Sequence, residues 1–207
     1  MIVTYIIIGV TVVASIYAWN NSGKLYGWML NPYAVVQRKQ YYRLITSGFI
    51  HHDWVHLIFN MITLYFFGSN MEYIFTYLYG GTGIFYYLIL YFLGMVTADI
   101  PTILKYRDNP NYNSLGASGA VSAALFASII FDPTNKVCIF IPVFCIPGFI
   151  FGILYLLYTW YQGRRMADNI NHDAHLYGAL FGIIFSVIIR PGVIPNFFDQ
   201  IFNYQIF

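Results

Sequence analysis

Long, nearly continuous apolar stretches separated by short polar or aromatic connections dominate the chain. Six of them, roughly 2–19, 54–71, 83–100, 115–131, 139–161 and 172–190, approach the 20 or so residues that an α-helix needs to cross a bilayer. Proline and charge cluster between these stretches and are sparse within them. The pattern predicts an all-α fold, a polytopic membrane bundle of six transmembrane helices. The first stretch lacks the basic leader of a secretory signal and is too long for its apolar core, so it reads as the first span. One membrane domain covering residues 1–207 is expected, with no soluble domain before or after it.

Composition agrees with that reading. Of 207 residues, 59% are hydrophobic and 9% charged, against about 25% charged in soluble domains. A net charge of +2 with scattered basic residues gives nucleic acid no surface to bind. Cys138 and Cys145 lack metal-site spacing and read as free thiols or packing residues. The first connection, 20–53, mixes Trp19, Trp28, Tyr26 and Tyr33 with Lys24, Arg38, Lys39 and Arg43. That mixture belongs at the headgroup level. Pro101 opens a polar third connection, and Pro133 and Pro191 close spans four and six.

Parity brings the chemistry together. With six spans, connections one, three and five share one membrane face, and His56, Ser118 and His175 each follow one of them. Ser118 lies fourteen residues before Asp132, and His175 fifteen before Arg190. At about 1.5 Å per residue both stand roughly 21–23 Å from the opposite boundary. In a core of about 30 Å they lie several Å below their own surface, at matching depth.

An intramembrane histidine is costly and reads as functional. A serine between glycines at a helix start, facing such a histidine, has the parts of a nucleophile and its base. Ser118 sits where unpaired amides and the helix dipole favour negative charge, and Gly116 and Gly119 permit close approach. Taken alone, Ser118 reads equally as an N-cap, and Gly178 and Gly182 as plain helix packing. His172, one turn nearer the surface, is the rival base, and Asp173 is on another helix face. His52-x-x-x-His56 has ligand spacing, but no glutamate accompanies it, and neither metal nor cofactor is expected.

The segments His56-x-x-x-Asn60, Gly116-x-Ser118-Gly119 and Ala174-His175-x-x-Gly178-x-x-x-Gly182 resemble, in order and in span, the three signatures of the rhomboid intramembrane serine proteases. The resemblance covers nearly the whole chain. It implies Ser118 as nucleophile and His175 as general base in a Ser–His dyad. His56, Asn60 and the Ser118 backbone would stabilise the oxyanion. Gly178 and Gly182 would pack span six on the serine-bearing span, and Arg43 would brace the first connection. The implied substrates are transmembrane segments of other proteins, entering between spans two and five and cleaved after a small residue. Span five, with Phe149, Phe151, Tyr155 and Trp160, reads as the movable wall or as ordinary lipid-facing surface.

The chain departs from the family pattern at two positions. Tyr42-Arg43 replaces a tryptophan–arginine pair, and Ser122 stands where many members carry an aromatic that stacks on the catalytic histidine. Tyr177 and Phe126 are the candidates to compensate. The resemblance implies a multi-pass protein of the cell (inner) membrane with its site opening to the extracytoplasmic side. Connections one, three and five hold eight of the ten basic residues, which by the positive-inside rule favours the reverse. A catalytically silent adaptor for client helices and a small transporter are the rival functions. Retention of both Ser118 and His175 disfavours the first, and polar groups confined to one face disfavour the second.

Overall fold

The computed structural model describes residues 1–139, 144–165 and 170–204. Helix α1 (Ile2–Trp19) is followed by an interfacial segment of short helices, α2 (Ser22–Trp28), α3 (Pro32–Gln37) and α4 (Arg43–Thr46). Then come α5 (Trp54–Thr63), a π-turn over Leu64–Gly68, α6 (Ser69–Tyr79), α7 (Thr82–Tyr106), α8 (Ser118–Phe131), α9 (Gly148–Arg165), α10 (His172–Ile189) and α11 (Val193–Phe202). Among the described residues α1, α7 and α10 are long and apolar enough to cross a membrane, and α8 is a shorter apolar helix.

Helix α1 shows why the surrounding solvent is lipid. Its buried residues are Thr4, Ile7, Thr11, Ser15 and Ala18, whereas Ile2, Ile6, Val10 and Val13 are all more than half exposed. Polar and small side chains face the protein and large apolar ones face outward. This is the reverse of a soluble helix and the usual arrangement where hydrocarbon is the solvent. The Glu72 carboxylate, buried on α6, accepts the Val3 and Thr4 amides at 3.0 and 2.8 Å and the Thr4 hydroxyl at 2.7 Å.

Several boundaries differ from the sequence expectation. The stretch expected as the second span is helical without a break from 54 to 79 through the π-turn, so Glu72 lies in a helix and not in a connection. Helix α7 continues through Pro101 to Tyr106, because one missing amide does not end a helix whose neighbours support it. The fold is not purely helical, since Lys136–Ile139 and Phe144–Pro147 form antiparallel strands β1 and β2. The fifth helix therefore starts at Gly148 and not at 139. Residues 140–143, included in that expected span, lie outside the described residues. Cys138 and Cys145 face each other across this hairpin and form a disulfide, not free thiols. Their β-branched and aromatic neighbours favour strand, and hydropathy alone hid the turn.

Helix α8 is the centre of the bundle, with all twelve residues from Gly119 to Ile130 buried. Small residues on three helices make that possible. A Cβ placed on Gly178 or Gly182 of α10 would collide with the carbonyls of Gly119 and Ala123. From the other side a Cβ on Gly119 would come within 2.5 Å of the Ala98 methyl of α7, and one on Gly94 within 2.8 Å of Ala123. Backbone meets backbone along the α10 seam, and glycine backbone meets alanine methyl along the α7 seam. At fourteen residues, or about 21 Å, α8 falls short of a 30 Å core, so at least one of its ends lies below a membrane surface. Gly182→Leu should lower stability by about 1–3 kcal/mol or more, read as an earlier unfolding midpoint in SDS titration of mixed micelles.

Candidate active site

The loop before α8 is held by connection one. Leu30 and Ser114 exchange backbone hydrogen bonds at 2.9 and 3.0 Å, and Gly116 donates to the Ser47 carbonyl at 2.9 Å. Asn31 caps α3 and donates its amide to the Pro110 and Tyr112 carbonyls. Arg43 ties connection one together, donating to Gln40 at 2.7 Å and to the Tyr26 and Met29 carbonyls at 2.9 and 2.7 Å.

Ala117, just before the serine, donates its amide to Nε2 of His51 at 3.3 Å. That nitrogen must then be unprotonated, so Nδ1 carries the hydrogen and donates to the Ser15 hydroxyl, 3.2 Å away. Ser15 in turn donates to the Phe49 carbonyl. The fully buried His51 thus carries a chain of bonds from α1 to the serine loop. Burial, aided by the neighbouring His56, depresses its pKa to about 3.

Gly116 is needed twice. Its φ of +122° is closed to most L-residues. A Cβ there would also lie 2.6 Å from Cε1 and 2.7 Å from Nε2 of His56. The His56 ring therefore rests on the Gly116 backbone, edge-on to His51 at 4.9 Å. Helix α5 reaches this position because Asp53 accepts the His56 amide at 2.8 Å as an N-cap. That bond, then its contact with His52, holds the Asp53 carboxyl below its usual range. Asn60 is buried, with its amide donating to the His56 carbonyl at 3.0 Å.

Ser118 opens α8, whose first turn has no side-chain cap. Its N-terminal amides thus retain the capacity to bind negative charge. Ser118, Gly119, Gly116 and Ala174 line a cavity of about 20 Å³, space for a single water. Neither His56 nor Asn60 lines it. Asp99 of α7 and Asn171 do. Asn171 caps α10, accepting the Ala174 amide at 3.1 Å, and bonds Thr102 of α7. Asp173 pairs with Lys105 at 3.2 Å. It latches α10 to α7.

The position left open at Ser122 has an occupant from another helix. The Tyr155 ring of α9 lies nearly parallel to His175, centroids 6.4 Å apart and planes at 16°. Its hydroxyl is 2.9 Å from the Ser122 hydroxyl. Of the two expected substitutes, Tyr177 is exposed, and Phe126 packs on Tyr155. His172, the rival base, is buried edge-on to both Tyr158 and His175. Three contributors were missed from sequence. Asp99 was discoverable as the lone acid in an apolar stretch. His51 and Tyr155 gave no local signal, because their partners lie 66 and 33 residues away.

The folded chain is thus a helical membrane protein with a serine at a buried helix start, packed beside a histidine-bearing helix. A family model, the rhomboid domain, matches residues 38–192. RHOMBOID-like protein 12, mitochondrial, of Arabidopsis thaliana is 35% identical over 159 residues, covering 72% of this chain and 46% of that protein. RHOMBOID-like protein 4 and Rhomboid-like protein 11, chloroplastic, of the same plant are 29% and 28% identical, covering 76% and 70% of this chain and 36% and 51% of theirs. The chain belongs to the rhomboid family. It spans about half or less of the length of these relatives.

His51 gives the site a pH dependence. Its depressed pKa means that between about pH 6.5 and 3 the unfolded chain binds a proton that the native chain does not. Stability is full above the unfolded value and is lost as pH falls through that window. His51→Leu should flatten this slope while costing about 1–3 kcal/mol at pH 7 for the stranded Ala117 amide and Ser15 hydroxyl. Unfolding midpoints from pH 7 to 4 measure both effects.

Proposed function

We propose that this chain is an intramembrane serine endopeptidase that cleaves transmembrane segments of other membrane proteins, with six of its helical stretches crossing the bilayer. The observation that carries the reading is the seam at Gly119 and Gly178. It presses the first turn of the serine helix against the first turns of α10, so that Ser118 and Ala174, the neighbour of His175, border one cavity.

In this mechanism His175 takes the Ser118 proton as the hydroxyl attacks the scissile carbonyl, then delivers it to the leaving amine. The uncapped amides of α8 receive the oxyanion, joined by His56 above Gly116 and by Asn60 once its amide turns from the His56 carbonyl. Water entering the cavity hydrolyses the acyl-enzyme. No cofactor takes part. Substrates are helices embedded in the same bilayer, and the small cavity favours a small residue at the cleaved position.

Ser118→Ala and His175→Ala should each reduce cleavage of a transmembrane reporter by about 10⁴-fold or more, and Asn60→Ala by about 10²-fold. Fluorophosphonate labelling of the wild type and its loss in Ser118→Ala provide the direct check. An unlabelled wild type would leave the adaptor reading in its place.

The site is proposed to open to the extracytoplasmic side of the membrane, by resemblance. The eight basic residues on that face and the Cys138–Cys145 bridge on the other favour the opposite sidedness. Lys105→Cys should react with an impermeant thiol reagent added outside sealed cells. Reaction only after permeabilisation would invert the assignment.

A further inference from the structure

We propose that Tyr155 and Ser122 form a positioning clamp that sets the plane of the His175 imidazole, with the ring supplied by α9 and its angle fixed by a hydroxyl on α8. The inference deepens the proposed protease reading and rests on it for its kinetic consequences.

Five observations carry it. The Tyr155 ring flanks His175 nearly parallel to it, at 16° between planes with centroids 6.4 Å apart. The phenol is anchored by its 2.9 Å bond to the Ser122 hydroxyl. Ser122 is itself only 3% exposed, so water does not compete for that bond. Ser122 is one turn from Ser118 on the same face of α8, which ties the clamp to the nucleophile's own helix. Finally, Phe126 and Phe151 pack on Tyr155 with ring centroids 5.4 and 5.7 Å away, leaving the ring little freedom to swing aside.

The pairing repeats three residues along each helix. Tyr158 meets His172 edge-on at 5.7 Å, and His172 meets His175 edge-on at 5.9 Å. Two tyrosines of α9 therefore address two histidines of α10. A general base must present one nitrogen to the serine, and an error of about 1 Å in such a group costs up to about 10²-fold in rate. The clamp supplies that alignment from two helices at once.

The test combines kinetics with a spectroscopic reading of the imidazole. Tyr155→Phe keeps the ring and removes the hydroxyl, and Ser122→Ala removes its partner. Each should lower kcat about tenfold with KM unchanged, and the double variant should be no worse than either single one. Tyr155→Leu should lower kcat about 10²-fold. In proton NMR of protein labelled at histidine, the His175 Cε1–H resonance should carry a ring-current shift that Tyr155→Leu abolishes and Ser122→Ala reduces. Thermal unfolding of the double variant, which strands neither hydroxyl, should stay close to the wild type. Single variants within twofold of wild type and an unmoved resonance would overturn the clamp, as would rate losses that multiply in the double variant. Should the wild type fail to label with fluorophosphonate, the protease reading falls. The resonance alone then decides, supporting the clamp if it moves in both variants and refuting it if it does not.

Discussion

Backbone-to-backbone contact along α8 is the constraint on which the rest of the molecule depends. Hydrocarbon gives helices no hydrophobic reason to associate, so the bundle coheres through close approach and buried polar contacts. Gly178 and Gly182 bring α10 onto the carbonyls of Gly119 and Ala123, while Gly94 and Ala98 bring α7 onto the opposite flank. The polar residues of α8 complete the seams, with Ser122 bonded to Tyr155 and Ser128 bonded to Asn70 of α6. A helix enclosed this fully need not match the bilayer in length. Its shortness leaves at least one of its ends below a membrane surface, enclosed by neighbouring helices.

The segment between α1 and α5 has the complementary task. It holds the loop that leads into α8 through the Leu30–Ser114 bridge, the Gly116–Ser47 bond and the His51–Ala117 bond. Arg43 secures the carbonyls at the end of α2. Fixing the residues immediately before Ser118 fixes the direction of its first amides.

Much of this was readable in the chain before any coordinates. Apolar length marked most of the helices, and the motif spacing singled out Gly116 and Gly119 at the start of α8, where the structure places a close approach to His56 and to α7. The spacing of Gly178 and Gly182 announced a close seam. Hydropathy could not reveal the hairpin at 136–147, because its valines, isoleucines and phenylalanines are as apolar as any span. It gave no warning of the Cys138–Cys145 bridge, since a disulfide depends on register. Tyr155 was equally hidden. Its ring is one of many on α9, and only the meeting of three helices singles it out. The departure at Ser122 looked like a loss in sequence, whereas in the fold its small hydroxyl is the anchor of a ring that arrives from elsewhere.

Glu72 bears on how such a molecule is made. Its carboxylate accepts from the first turn of α1 and pairs with the Met1 amino group just before it, outside the matched residues 38–192. Until those donors arrive, α6 carries a charge that lipid does not tolerate, or a proton that neutralises it. Docking of α1 therefore removes the cost of holding this carboxylate within the bilayer, and it couples the placement of α6 to that of α1.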